Sequence, residues 1–295
     1  VLALGCDKSP KGFFSTPGKE NSARYDCIDT AWIRWRMAGL TNPACWALDC
    51  RKRMDKYGTT ESTLAKAKVA CSKHGALNPN ALYRKVYTEE EVLASPYVVD
   101  PLRLLMICAT RDGAAAMILG SVEKARQLST KLITVAGAAI GTSLYGDPTM
   151  RLGSSYVPID SEVKAPPVSE SASASRQAYE IAGIGPEGID FLELPDNSSW
   201  HYLQYLEILG FCGPGEADQL LAEGHTLIGG KIPVCPSGGL ASFGEASAAH
   251  GALQIFEVVT QLRGEAGERQ VKGAKVGMAQ TYGASGNSAS VILKT

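Results

Sequence analysis

Two kinds of apolar pattern alternate along the chain. Residues 1–5 are a short apolar run that reads as a buried strand, and residues 100–119 are strand-like again, with Asp112-Gly113 as a turn signal. Residues 131–140 predict a second buried strand and residues 188–194 a third. A last pair, 275–280 and 289–293, is joined through Tyr282-Gly-Ala-Ser-Gly-Asn. Between these runs the apolar period is helical. Residues 31–38 are amphipathic, a helix starts at Asn42-Pro43, and residues 60–71 form another. Thr88 with Glu91 three positions on predicts a capped short helix. Further helices cover 121–128, 173–182 up to Gly183, 200–209 up to Gly210, and 252–262. Residues 147–172, rich in Pro and Ser, read as a surface connection. Strands alternating with helices predict an α/β layered sheet.

The 295 residues are 45% hydrophobic and 20% charged, enough for one large globular unit or two related halves. A net charge of −1 shows no electrostatic footprint for nucleic acid. No apolar run approaches a membrane span. Eight cysteines show no metal-like spacing, which predicts reduced, packed thiols in a cytoplasmic protein without a metal site. A core strand at residue 1 predicts that the fold needs a segment ahead of it.

Residues 235–251 carry the densest chemical signal. Gly238, Gly239 and Gly244 precede a helix, so the loop can bring backbone N–H groups and a helix start against anionic oxygens. The alternative is a tight strand-to-helix connection. Pro-Ser-Gly-Gly-Leu at 236–240, followed by Gln-Leu-Arg-Gly-Glu-Ala-Gly-Glu-Arg-Gln-Val at 261–271, resembles the C-terminal half of the thiolase superfamily, in its sterol-carrier-protein-type branch. Residues 73–84, with His74 and Asn78-Pro79, resemble a second signature in the family's loop domain. The resemblance implies a five-layered α-β-α-β-α fold. Residues 1–10 would end the N-terminal half, 11–97 form an inserted helical loop domain, 98–128 return to the N-terminal half, and 129–295 make the C-terminal half.

The same resemblance assigns candidate residues. The family's loop histidine is replaced by Glu245, and its His-Asp-Cys-Phe motif by Pro195-Asp196-Asn197-Ser198. Tyr282 falls in the turn where other thiolases carry Cys-x-Gly. The nucleophilic cysteine would lie upstream of residue 1; Cys6 is a substitute that follows a strand instead of opening a helix. Relatives lacking these histidines cleave β-hydroxyacyl-CoA side chains of steroids by retro-aldol chemistry. Glu245 is then the expected base, with Tyr282, Asp196 and Asn197 as further catalytic candidates. Asp196 has a second reading as the cap of the helix near Ser199. His201 and Tyr202 are weaker candidates, and His250, about 140° around a helix from Glu245, need not face it. Ser237, Gly238, Gly239 and His74 are expected to hold coenzyme A, although His74 also suits a satisfied structural role. Coenzyme A would enter as part of the substrate, with no tightly bound cofactor. A homodimer and a small OB-fold/zinc-ribbon partner protein are implied. The alternatives are acyl transfer using a cysteine outside this chain, and non-catalytic acyl-CoA or lipid binding.

Overall fold

The computed structural model describes residues 1–8, 41–128, 131–142, 169–283 and 287–295. The amphipathic stretch at 31–38 and the Pro/Ser-rich connection lie outside these residues, apart from the last four of the connection.

Strand β1 (Leu2–Asp7) is followed by helices α1 (Asn42–Tyr57), α2 (Glu61–Ala76) and α3 (Glu89–Leu93). Pro43 sits in the first turn of α1, where its missing N–H costs nothing, and Gly58 ends that helix in the left-handed region. Thr60 caps α2 by accepting from Thr63 N at 3.1 Å. A capping box opens α3: Thr88 Oγ1 accepts from Glu91 N and Glu91 Oε2 accepts from Thr88 N, at 3.2 and 2.9 Å.

A small hairpin, β2 (Tyr97–Val99) and β3 (Leu102–Arg103), then leads through a 3₁₀ turn at Leu104–Met106 to β4 (Gly113–Ile118). This differs from the single strand-like run expected at 100–119. The backbone of residues 108–111 makes its hydrogen bonds to segments distant in sequence. Gly113 opens β4 opposite Asp7 instead of making a hairpin turn.

The rest of the chain comprises α4 (Val122–Leu128), β5 (Thr134–Thr142), α5 (Glu170–Ala182), β6 (Phe191–Glu193), α6 (Ser199–Ile208), α7 (Ala217–Ala222), α8 (Gly239–Ser242), α9 (His250–Leu262), β7 (Val276–Gly283) and β8 (Asn287–Lys294). Strands β5, β8, β7 and β6 form one sheet in that order, antiparallel except for the parallel β6–β7 pair. Strands β1 and β4 make a separate antiparallel pair.

Helix α9 packs between the two sheets, touching β7, β6 and β8 on one side and β4 and β1 on the other, while α5 covers β5 and β8. The order α5, sheet, α9, sheet is the alternation of a layered α/β fold. Its core is centred on Phe191, Leu192, Leu203, Leu206, Val258, Met278 and Ile292, all fully buried. Strand β5 is not buried on both faces as its composition suggests: α5 covers one face, and Ile140 on the other is 69% exposed. Among the described residues no helix is long and apolar enough to cross a membrane.

Candidate active site

Three separated segments are stitched together by backbone hydrogen bonds. Residues 107–111 lie between the loop after β6 and the loop after α8. Ile107 bridges Ser198 antiparallel and Thr110 bridges Glu245 parallel. Cys108 N donates to Asn197 O at 2.9 Å, Glu245 N to Ala109 O at 2.7 Å, and Arg111 N to Glu245 O at 2.9 Å. Arg111 Nη1 also donates to Phe243 O and Asn80 O, at 2.7 and 3.0 Å, closing the loop ahead of Glu245.

This ladder brings three side chains into contact. Asn197 Nδ2 donates to Glu245 Oε1 at 2.8 Å, and the Cys108 thiol donates to Glu245 Oε2 at 2.9 Å. Glu245, Asn197 and Cys108 are 5%, 3% and 6% exposed, and Asn197 Oδ1 is buried with no partner. Burial raises the Glu245 pKa above the ordinary carboxylate range, against the two hydrogen bonds that favour its charge. The Cys108 thiol is pushed well up, first by burial and then by the Glu245 charge.

Tyr282 is on β7 opposite Ser288, not in the connecting turn, because the β7–β8 ladder continues to the Gly283–Asn287 pair. Its half-buried ring lies nearly parallel to those of His201 and Tyr205, with centroids 6.1 Å away in both cases. Burial raises its phenol pKa, and the charges of Tyr205, Glu245 and Cys108 raise it further. His201 is held neutral by burial, its pKa down to about 3, and its Nδ1 is 2.9 Å from Ser198 Oγ. His250 turns to Thr281, contacting its hydroxyl through Nε2. Cys6 lies on the exposed face of β1.

Asp196 lies within electrostatic reach of Cys108, but its carboxylate bonds elsewhere. Its Oδ1 accepts from Leu240 N at 2.6 Å and its Oδ2 from Ala241 N at 3.3 Å, so it caps α8 and not α6, which corrects the reading of Asp196 as the cap of the helix near Ser199. Burial pushes its pKa up to about 7 despite those two N–H groups. Lys68, buried on α2, donates to Ala241 O at 2.6 Å at the other end of α8. Both charges complement the helix dipole.

The glycine-rich stretch is tied into the fold, and Ser237, Gly238, Gly239 and His74, expected to hold coenzyme A, each meet other parts of the chain. Ser237 donates from N and Oγ to Glu193, at 2.9 and 2.7 Å, and accepts from Gly239 N. At Gly238, φ is +103° and a Cβ would meet Gly75 Cα on α2 at 2.6 Å. At Gly239 a Cβ would strike the Asp196 carboxylate at 2.3 Å. His74 uses both ring nitrogens: Ile228 N donates to Nε2 at 3.1 Å, leaving Nδ1–H to donate to Cys235 O at 3.1 Å. The loop is therefore a tight connection, and its helix-start N–H groups are already taken.

Of the expected catalytic residues, the structure joins Glu245 and Asn197 by a hydrogen bond, places Tyr282 within electrostatic reach of Glu245, and ties the Asp196 carboxylate to the start of α8. Cys108 escaped the sequence reading because its partner is 137 positions away and cysteine spacing carries no trace of that contact.

Residues 159–295 match the family described as Thiolase C-terminal domain-like. The chain is 34% identical over 291 residues to an acetyl-CoA acetyltransferase of Methanothermobacter thermautotrophicus, covering 99% of this chain and 71% of the relative. It is 36% identical over 239 residues to a steroid side-chain-cleaving aldolase of Thermomonospora curvata, covering 80% of this chain and 58% of that protein. Among solved structures, an Ltp2-ChsH2(DUF35) aldolase superposes with a TM-score of 0.81 at 30% identity, over 100% of this chain and 72% of that one. The chain belongs to the thiolase superfamily of enzymes, in its sterol-carrier-protein-type branch.

Proposed function

We propose that the chain catalyses retro-aldol cleavage of a β-hydroxyacyl-CoA carrying a lipid or steroid side chain, with Glu245 as the base. The observation that carries this reading is the Glu245 carboxylate itself. It is buried, has a raised proton affinity and is held at both oxygens by Asn197 and Cys108. A base of raised pKa is suited to taking a hydroxyl proton near neutral pH. As that proton moves to Glu245, the bond between the α- and β-carbons breaks, giving a ketone or aldehyde and a thioester enolate. Tyr282 is the donor to the enolate oxygen. Asn197 Nδ2, donating to Oε1, holds the carboxylate in place for that transfer.

Coenzyme A is the carrier of the substrate. The relatives named as aldolases support the reaction class, and the similarity to the Ltp2-ChsH2(DUF35) aldolase supports a small partner protein of the OB-fold/zinc-ribbon type. A homodimer in the cytoplasm is part of the same reading.

The test is product analysis. Release of a ketone or aldehyde from a β-hydroxyacyl-CoA without added CoA is expected. The acetyl-CoA acetyltransferase relative favours acyl transfer as the second reading. Consumption of free CoA together with a β-ketoacyl-CoA, and no carbonyl release, would establish that one instead. Acyl-CoA binding without turnover in either assay, partner included, would leave a lipid-binding role.

A further inference from the structure

We propose that Cys108 is the acid of this site, delivering the proton that the α-carbon takes up after the carbon–carbon bond has broken. The proposal rests on the retro-aldol reading and completes it. That reaction needs two proton transfers, one from the β-hydroxyl and one to the α-carbon of the enolate. Both of these substrate atoms are bonded to the β-carbon in the starting thioester. The acceptor for one and the donor for the other can therefore be neighbouring groups that reach the same small region of the substrate. Glu245 Oε2 and Cys108 Sγ are such neighbours, 2.9 Å apart.

Asn197 occupies Oε1, so Oε2 is the oxygen that the thiol shares. The unpartnered Oδ1 of the same amide, in a side chain 3% exposed, marks a place left for a donor group beside the pair. Among the described residues, the other thiols hydrogen-bonded to a carboxylate, Cys71 and Cys235, flank Asp196, and both of its oxygens already cap α8. Cys108, by contrast, has a carboxylate partner that is not committed to holding a helix.

The steps balance without an external reagent. Glu245 accepts the hydroxyl proton, and the O–H electron pair becomes the new carbonyl π bond. The electrons of the broken carbon–carbon bond enter the enolate. The enolate carbon takes the proton from Cys108 Sγ, and the protonated Glu245 returns its own to the thiolate. The thiol–carboxylate pair ends as it began. Through that return step it carries one proton and one negative charge in either form, so no second buried charge is created.

The test compares the full chain with Cys108→Ser and Cys108→Ala in D₂O. Carbonyl release from a β-hydroxyacyl-CoA is measured together with α-hydrogen exchange into the saturated acyl-CoA product. Serine keeps an O–H to hold Glu245 in place but is a far weaker acid than a thiol. Both variants are expected to lose α-exchange by about 10²-fold or more with KM little changed. A Ser variant that exchanges at the wild-type rate would overturn the assignment and leave Cys108 a packing residue. If the unaltered protein cleaves and both variants match it, only the role of Cys108 falls. If the unaltered protein releases no carbonyl, the retro-aldol reading itself fails and takes this proposal with it.

Discussion

A carboxylate that replaces an imidazole is useful as a base only if its proton affinity is brought toward neutrality, and at Glu245 burial does this. The hydrogen bond from Asn197 acts in the opposite sense by favouring the charged form. Asn197→Ala removes that bond, so the Glu245 pKa should rise further. The acidic limb of the kcat–pH profile is then expected to move to higher pH. An unchanged limb would separate Asn197 from the titrating group. At this scale the sequence exposed Glu245 and Asn197, because each stands where the resemblance expects another residue type. It concealed Cys108, an ordinary thiol in an apolar run. Its significance comes from a backbone ladder between residues 107–111 and a loop more than a hundred positions away.

At the scale of elements, local signals were the legible ones. The Thr88–Glu91 capping box, Pro43 in the first turn of α1 and Gly183 after α5 are all written within a few residues of the helix they bound. The helix that Asp196 caps was not legible, because the N–H it accepts from, on Leu240, is 44 residues away while a nearer helix start was at hand. The Asp196 pKa of about 7 has a consequence for stability. A carboxyl raised in the folded state holds its proton to higher pH than the unfolded chain, so this contribution is greatest below the unfolded value near 4. It is lost as pH rises through about 7. Asp196→Asn retains an acceptor for Leu240 N but cannot ionise. Its urea midpoint should therefore change less between pH 5 and 8 than that of the unaltered protein, and equal slopes would contradict the assignment. The packing of α2 on the loop gives a second expectation. Gly238→Ala forces a side chain onto a backbone at φ +103° and against Gly75, and should cost about 1–3 kcal/mol in chemical denaturation.

Across the whole molecule, α2 is joined to the core through buried polar ties, and His74 is one of them. Its pKa is depressed to about 4 by burial, so the unfolded chain, with an ordinary value near 6.5, takes up the proton first. Its contribution is complete above pH 6.5 and is lost as pH falls through about 4. His74→Gln keeps one donor and one acceptor, and should lose stability less steeply over that acid range when unfolding is followed by circular dichroism.

The layered arrangement was legible in the alternation of strand and helix patterns. The half-exposed state of β5 was not, since its small and apolar residues suit a covered face and an open one alike. The site lies where the loops of both sheets meet, and the chemistry assigned to it depends on one side chain.

The most direct test is turnover of a β-hydroxyacyl-CoA by Glu245→Gln, measured as carbonyl release alongside binding of the same thioester. Turnover is expected to fall by about 10²- to 10⁴-fold with binding preserved, because the amide keeps the shape of the carboxylate but cannot take the proton. Turnover equal to that of the unaltered protein would remove Glu245 from the mechanism, and the account built on it.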